Sequence, residues 1–187
     1  DFESWAKHQA SVAVPHRAPP APPVTTVANR RGLRADTTPP APVEPELGYI
    51  FPAEKLPDHV IPKTPVPASL TFDDNLLAQG DATRGQQSFM MAGCIGCHAI
   101  NGNPMAVSPI GPNLTHFATR HTLGGGLFPN DNHHLARWIK NAKRMKPGAL
   151  MNVIGRGEYD PILKGPVTAG LTDAQIADVV AYLRSLK

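Results

Sequence analysis

A chain of 187 residues with 21 prolines and a net charge of +3 has room for one ordinary domain and a remainder. The basic excess is modest and no base-reading motif accompanies it, which argues against a nucleic-acid partner. No apolar run approaches the roughly eighteen residues a membrane-spanning helix needs.

Proline and charge divide the chain. Fourteen of the prolines fall at or before Pro67, and residues 1–80 carry 7 Lys and Arg against 9 Asp and Glu. Residues 81–187 carry 11 against 6, so an acidic arm precedes a basic domain. Within the arm, residues 1–10 can form a short amphipathic helix with Phe2, Trp5 and Ala6 on one face, or a segment ordered only on a partner. From Val14 to Pro67, runs such as Pro19-Pro20-Ala21-Pro22-Pro23 and Pro39-Pro40-Ala41-Pro42 remove backbone donors and favour an extended, polyproline-like path. Such an arm builds no core of its own, and it is expected to lie along the surface of other subunits.

The compact domain is expected to span residues 81–187. Asp81 is placed to cap a helix through Arg84-Gly85-Gln86-Gln87-Ser88-Phe89-Met90-Met91. That helix runs into Cys94-Ile95-Gly96-Cys97-His98, the attachment signature of a c-type haem. Two thiols three positions apart on one turn can each add across one haem vinyl group. The histidine that follows presents its imidazole to the iron. A disulfide redox pair would need a βαβ context, and zinc would need a second pair of ligands. Neither is visible. Haem thioethers are made outside the cytoplasm in bacteria, so the motif also implies export, whether or not a leader or anchor has been removed.

Residues 99–132 hold many breakers, among them Asn101-Gly102-Asn103-Pro104, Pro109, Gly111-Pro112 and Gly124-Gly125-Gly126, and read as loop wrapped around the haem. Asn130-Asp131-Asn132 can cap the next helix, in which Leu135, Trp138, Ile139 and Ala142 recur at helical spacing. Lys140, Lys143 and Arg144 fall on or beside its outer face, and Pro147-Gly148 ends it. Thr172-Asp173-Ala174-Gln175 fits a capping box ahead of the stripe Ile176, Val179, Val180, Leu183 and Leu186. Three helices, long loops and no strand pattern predict an all-α domain.

A haem with one proximal histidine has a sixth position to fill or to leave open. Met90 and Met91 lie on the wrong side of the motif for opposite-face ligation, Met105 sits in the early loop and Met145 precedes Pro147. Met151 follows the turn-bearing Pro147-Gly148-Ala149-Leu150 and is the favoured ligand; His116, His121, His133 and His134 are the rivals. A thioether favours ferrous iron and implies a relatively high potential. Six-coordinate iron favours electron transfer. An open site would favour a peroxidase-like or gas-binding role, and a third possibility is a scaffold in which the arm matters most.

With Gly111-Pro112-Asn113-Leu114, Lys146-Pro147-Gly148-Ala149-Leu150-Met151 and the Leu171–Leu186 stretch added to the haem motif, residues 81–187 resemble a class I cytochrome c wrapped around one haem. The likeness is strongest to the cytochrome c domain of caa3-type oxidase subunit II, through Leu114-Thr115-His116-Phe117-Ala118-Thr119-Arg120 and Leu135-Ala136-Arg137-Trp138-Ile139. The monohaem subunit of alternative complex III, a quinol-oxidising membrane assembly, is similar to that domain and also carries an N-terminal extension.

The resemblance implies that Cys94, Cys97, His98, Met151, Pro112, Arg120 and Trp138 bind the haem, with His98 and Met151 on iron. Pro112 would accept from the His98 ring and fix its tautomer; Arg120 and Trp138 would lie near the propionates. Gly85, Phe89 and Tyr182 would mark the crossing of the first and last domain helices. The implied role is that of an electron carrier rather than an enzyme, on the extracytoplasmic face of the cell membrane. Its partners would be a multihaem subunit of a membrane complex and an accepting oxidase or soluble carrier. Alternative complex III is the first assignment on these grounds and the oxidase subunit the second. Lys140, Lys143, Arg144 and Lys146 could steer an acidic partner to the haem edge.

Overall fold

The computed structural model describes residues 2–11, 56–57, 60 and 62–187. Most of the Val14–Pro67 stretch expected to be extended lies outside these residues. Helix α1 spans Phe2–Ala10, the first of the two readings of this segment, with Phe2 exposed.

The domain is organised by the crossing of α2 (Ala82–Met91) and α4 (Asp173–Ser185). Asp81 caps α2 by accepting from the Arg84 N–H at 2.8 Å. The capping box opens α4: Gln175 N–H donates to Thr172 Oγ1 at 3.3 Å while Thr172 N–H donates back to Gln175 Oε1 at 3.0 Å. Gly85 and Phe89 are buried against α4, where the Phe89 and Tyr182 rings meet edge to face at 5.6 Å. Ile176, Val179, Val180 and Leu183 fill the core beneath.

Asp178 ties the crossing electrostatically. Its carboxylate accepts from Arg84 Nη2 at 2.7 Å, from Arg84 Nε at 3.0 Å and from the Asp81 N–H at 2.8 Å. Burial opposes its charge, but the bonds from Arg84 and from the Asp81 N–H outweigh that and hold its pKa below the ordinary carboxylate value. A lowered folded-state pKa contributes stability above the unfolded pKa and loses it as pH falls through the folded one. Asp178→Asn is therefore expected to lower the denaturant midpoint at neutral pH, and the gap from the unmodified chain should close as pH drops below about 4. A gap of constant size from pH 7 to pH 2 would refute this account.

Helix α3 spans Asn132–Met145 and is capped by Asp131, which accepts from the His134 N–H at 2.8 Å. It is not continuous. Asn141 leaves the helical region (φ −156°, ψ 83°), and the Arg144 N–H turns to the Asn141 side-chain oxygen at 3.0 Å.

The expectation of no strands needs correction. β1 (Thr122–Leu123) pairs antiparallel with β2 (Phe128–Pro129), and β3 (Tyr159–Asp160) with β4 (Gly165–Pro166). Each ladder is two residues long, too short for alternation to appear in sequence. Gly124, Gly125 and Gly126 all take positive φ (67°, 78° and 86°) to turn the first one. The domain remains helix-rich.

A second correction concerns where the body begins. Upstream of Asp81, a 3₁₀ helix forms over Asp74–Gln79, and Leu70 and Phe72 are 2% and 8% exposed within the core. Two such side chains contribute about 1.5–3 kcal/mol each on burial. Residues 69–79 pack as part of the domain, although the proline count assigned them to the arm.

Candidate haem site

Helix α2 ends at Met91, and Gly93 in the left-handed region (φ 77°) turns the chain into a 3₁₀ turn over Cys94–Gly96. The Cys97 and His98 N–H groups both donate to Cys94 O, at 3.1 and 2.9 Å, so the two thiols and the imidazole leave one tight turn. Neither cysteine is in a disulfide, and both are half-buried. Burial, reinforced by the neighbouring Cys97, pushes the Cys94 thiol up to about 11 and keeps it protonated at neutral pH.

His98 is aimed by the next loop. Its Nδ1 lies 2.9 Å from Pro112 O, and a backbone carbonyl can only accept, so Nδ1 carries a proton and Nε2 is the nitrogen left to ligate. The loop comes this close because residue 111 is glycine. A Cβ there would sit 2.8 Å from His98 Cε1 and Nδ1, while the Gly111 N–H bonds Cys97 O at 2.6 Å.

Around this turn lie groups suited to a large anionic macrocycle. Arg120 bonds Asn113 O through Nη2 and rests over the Phe117 ring at 5.6 Å; burial lowers its pKa, and no ion pair among the described residues includes it. A guanidinium that meets no carboxylate suits a propionate. Asn130 is buried; its Nδ2 donates to Phe117 O at 3.0 Å and Arg120 O at 2.9 Å, while Oδ1 has no partner among the described residues. Sequence reasoning saw Asn130 only as a member of a capping cluster. Its role in holding the Arg120 backbone leaves no periodic or motif signal.

Trp138 packs against Phe128, with centroids 6.3 Å apart, and against the bend at Gly124. Met151 is half-buried on the loop after α3. Of the other sulfur and imidazole groups, His121 alone among the rival histidines has no side-chain hydrogen bond or ion pair among the described residues. Met145 is buried, Met90 Sδ accepts from Asn103 at 3.5 Å, and Met91 and Met105 are exposed. His133 and His134 engage Asp74 and Asp131, and His116 Nε2 faces Ser11 O at 3.2 Å.

The family comparison decides what this site serves. The cytochrome c profile matches residues 82–187, more than half of the sequence. The chain belongs to the cytochrome c family. Among curated proteins, cytochrome c oxidase subunit 2 of Alkalihalophilus pseudofirmus is 33% identical to it over 106 residues. That alignment covers 57% of this chain and 26% of the relative, so the chain spans about a quarter of that protein's length. Membership brings a covalently bound haem c with its iron, and the paired thiols, the oriented imidazole and the carboxylate-free Arg120 fit it. No helix among the described residues is long and apolar enough to cross a membrane.

The cations of the expected basic steering patch are engaged within the protein. Lys140, 8% exposed, pairs with Asp173 at 2.9 Å, Lys143 with Asp160 at 3.3 Å and Arg144 with Glu158 at 3.4 Å. Lys146 Nζ donates to Gly124 O at 3.2 Å. Helical spacing placed these cations near one another but could not show that neighbouring segments supply their partners.

Proposed function

We propose that the domain is a one-electron carrier in which Cys94 and Cys97 hold the haem and His98 and Met151 ligate its iron. The haem supplies reversible one-electron chemistry at iron. The observation that carries this reading is the His98–Pro112 bond at 2.9 Å inside a Cys-x-x-Cys-His turn. It places a proton on Nδ1 and leaves Nε2 as the nitrogen that would ligate iron. Arg120 compensates a propionate charge, and Trp138 fills the wall beside Gly124.

Partner contact falls to apolar groups rather than to paired lysines. Ile110 and Leu150, 80% and 95% exposed, stand beside Gly111 and Met151 in the chain and offer an apolar contact to a redox partner. The domain, residues 81–187 with the packed 69–80 segment, would work on the extracytoplasmic face of a membrane assembly, and the Pro-rich arm ahead of it would dock on partner subunits.

Two settings suit such a carrier. The similarity to an oxidase subunit 2 favours the cytochrome c domain of a caa3-type oxidase, ahead of alternative complex III, where electrons would come from a quinol-oxidising core. Affinity purification of detergent-solubilised membranes through this chain tests both levels. Quinol or reduced-donor addition to the isolated assembly should reduce this haem before oxygen is consumed, and a haem that stays ferric through turnover would overturn the carrier role. Copper and haem analysis of the co-purified subunits then separates the two settings.

A further inference from the structure

We propose that residues 69–74 are a positioning strap for the sixth-ligand loop, acting through the break in α3. The strap is read by three cations on one face of that helix. Arg137 Nη2 donates to Phe72 O at 3.3 Å, Lys140 Nζ to Thr71 O at 2.8 Å, and Arg144 Nη1 reaches Ser69 O at a long 3.4 Å. Positions 137, 140 and 144 follow the helical repeat, and their partners run backwards along the strap. Asp74 completes the grip with a two-pronged pair to Arg137 at 2.8 and 2.9 Å. The Phe72 ring lies under both Arg137 and Lys140, each 5.7 Å from its centroid.

These contacts straddle Asn141, where α3 breaks. In an unbroken helix Lys140 O would accept from the Arg144 N–H. Here the Arg144 N–H bonds the Asn141 side chain at 3.0 Å, and Lys140 O accepts instead from the Gly155 N–H at 2.8 Å. Gly155 belongs to the chain that follows Met151. A Cβ at Gly155 would stand 2.5 Å from Lys140 Cγ and 2.9 Å from Lys140 O, so the loop backbone sits close against Lys140. Asn141 Nδ2 and Arg144 Nη1 also reach Glu158, at 3.0 and 3.4 Å. The break is thus held on one side by the strap and on the other by the loop that carries Met151. Lys140 joins them, its ammonium on the strap and its carbonyl on the loop. A pull on the N-terminal arm is transmitted to the ligand loop through this path, so partner binding to the arm can tune how firmly Met151 holds iron.

This inference rests on Met151 as sixth ligand, and the test separates the two. In the full-length holo chain, ferric haem is titrated with imidazole, which competes with the sixth ligand and is read optically. Phe72→Ala and Asp74→Asn should raise imidazole affinity at least roughly fivefold, within the range usual for coupled sites. Leu186→Ala, which empties the core at the end of α4, should change it less than about twofold at a similar loss of denaturation midpoint. Should Phe72→Ala fail to fold, Asp74→Asn carries the test alone. Strap variants that match Leu186→Ala, while Met151→Ala opens the site to imidazole, overturn the strap. Met151→Ala binding imidazole as the unmodified chain does overturns the ligand assignment and this inference with it.

Discussion

Replacing Met151 with alanine should leave one haem attached to the chain and convert its iron to a five-coordinate or water-bound, high-spin form. In the proposed site the thioethers are carried by Cys94 and Cys97, and the His98 ring is held by Pro112 O, so neither anchor would be touched. The ferrous form should then bind carbon monoxide, which the unmodified chain should resist. Loss of a thioether removes a ligand that favours ferrous iron, so the midpoint potential should fall by more than about 59 mV, a tenfold change in the one-electron equilibrium. Met151→His should restore six-coordinate iron at a potential still below that of the unmodified chain. Spectra and potential indifferent to both substitutions would move the sixth ligand elsewhere. His121 would be the next residue to replace, since His116, His133 and His134 already face partners in the protein.

The parts of this domain that the sequence announces are those whose chemistry is local. Cys94, Cys97 and His98 lie within one turn, Asp81 and Thr172 cap helices that start one residue later, and the stripe from Ile176 to Leu186 repeats with the helix. The strap was hidden because its anchors, Leu70 and Phe72, stand as isolated apolar residues next to a proline-rich stretch, and burial there depends on α3, more than sixty residues away. The pairing of the basic run on α3 is hidden for the same reason: a cation's exposure depends on whether a distant segment brings a carbonyl or carboxylate to it. The break at Asn141 carries no proline or glycine to mark it. It is sustained by a carbonyl handed from the helix to Gly155, a contact that no short window of sequence contains.

Gly85→Ala should be the most damaging single-methyl change in the domain. On an exposed helix the same substitution would stabilise by about 0.5–1 kcal/mol, because alanine costs less backbone entropy. Contact reverses the sign here. A Cβ at Gly85 would lie 1.9 Å from Asp178 O, 2.5 Å from Asp178 C and 2.9 Å from Tyr182 Cβ, and the first two are backbone atoms of α4 that no rotamer change can move aside. The helices would have to separate, loosening the Phe89–Tyr182 contact and the Arg84–Asp178 pair together. A loss of more than about 3 kcal/mol is expected, at or above the usual cost of overpacking. Because α2 leads through Gly93 directly to Cys94, the shift should also displace the haem attachment turn and lower the yield of haem-loaded protein. Gly165→Ala is the control: it lies outside the attachment motif, its added methyl would meet only Leu163 O, at 3.9 Å, among the described residues, and it should change stability by less than about 0.5 kcal/mol. Equal denaturation midpoints and haem yields for the two variants would show that the α2–α4 crossing does not depend on the missing side chain.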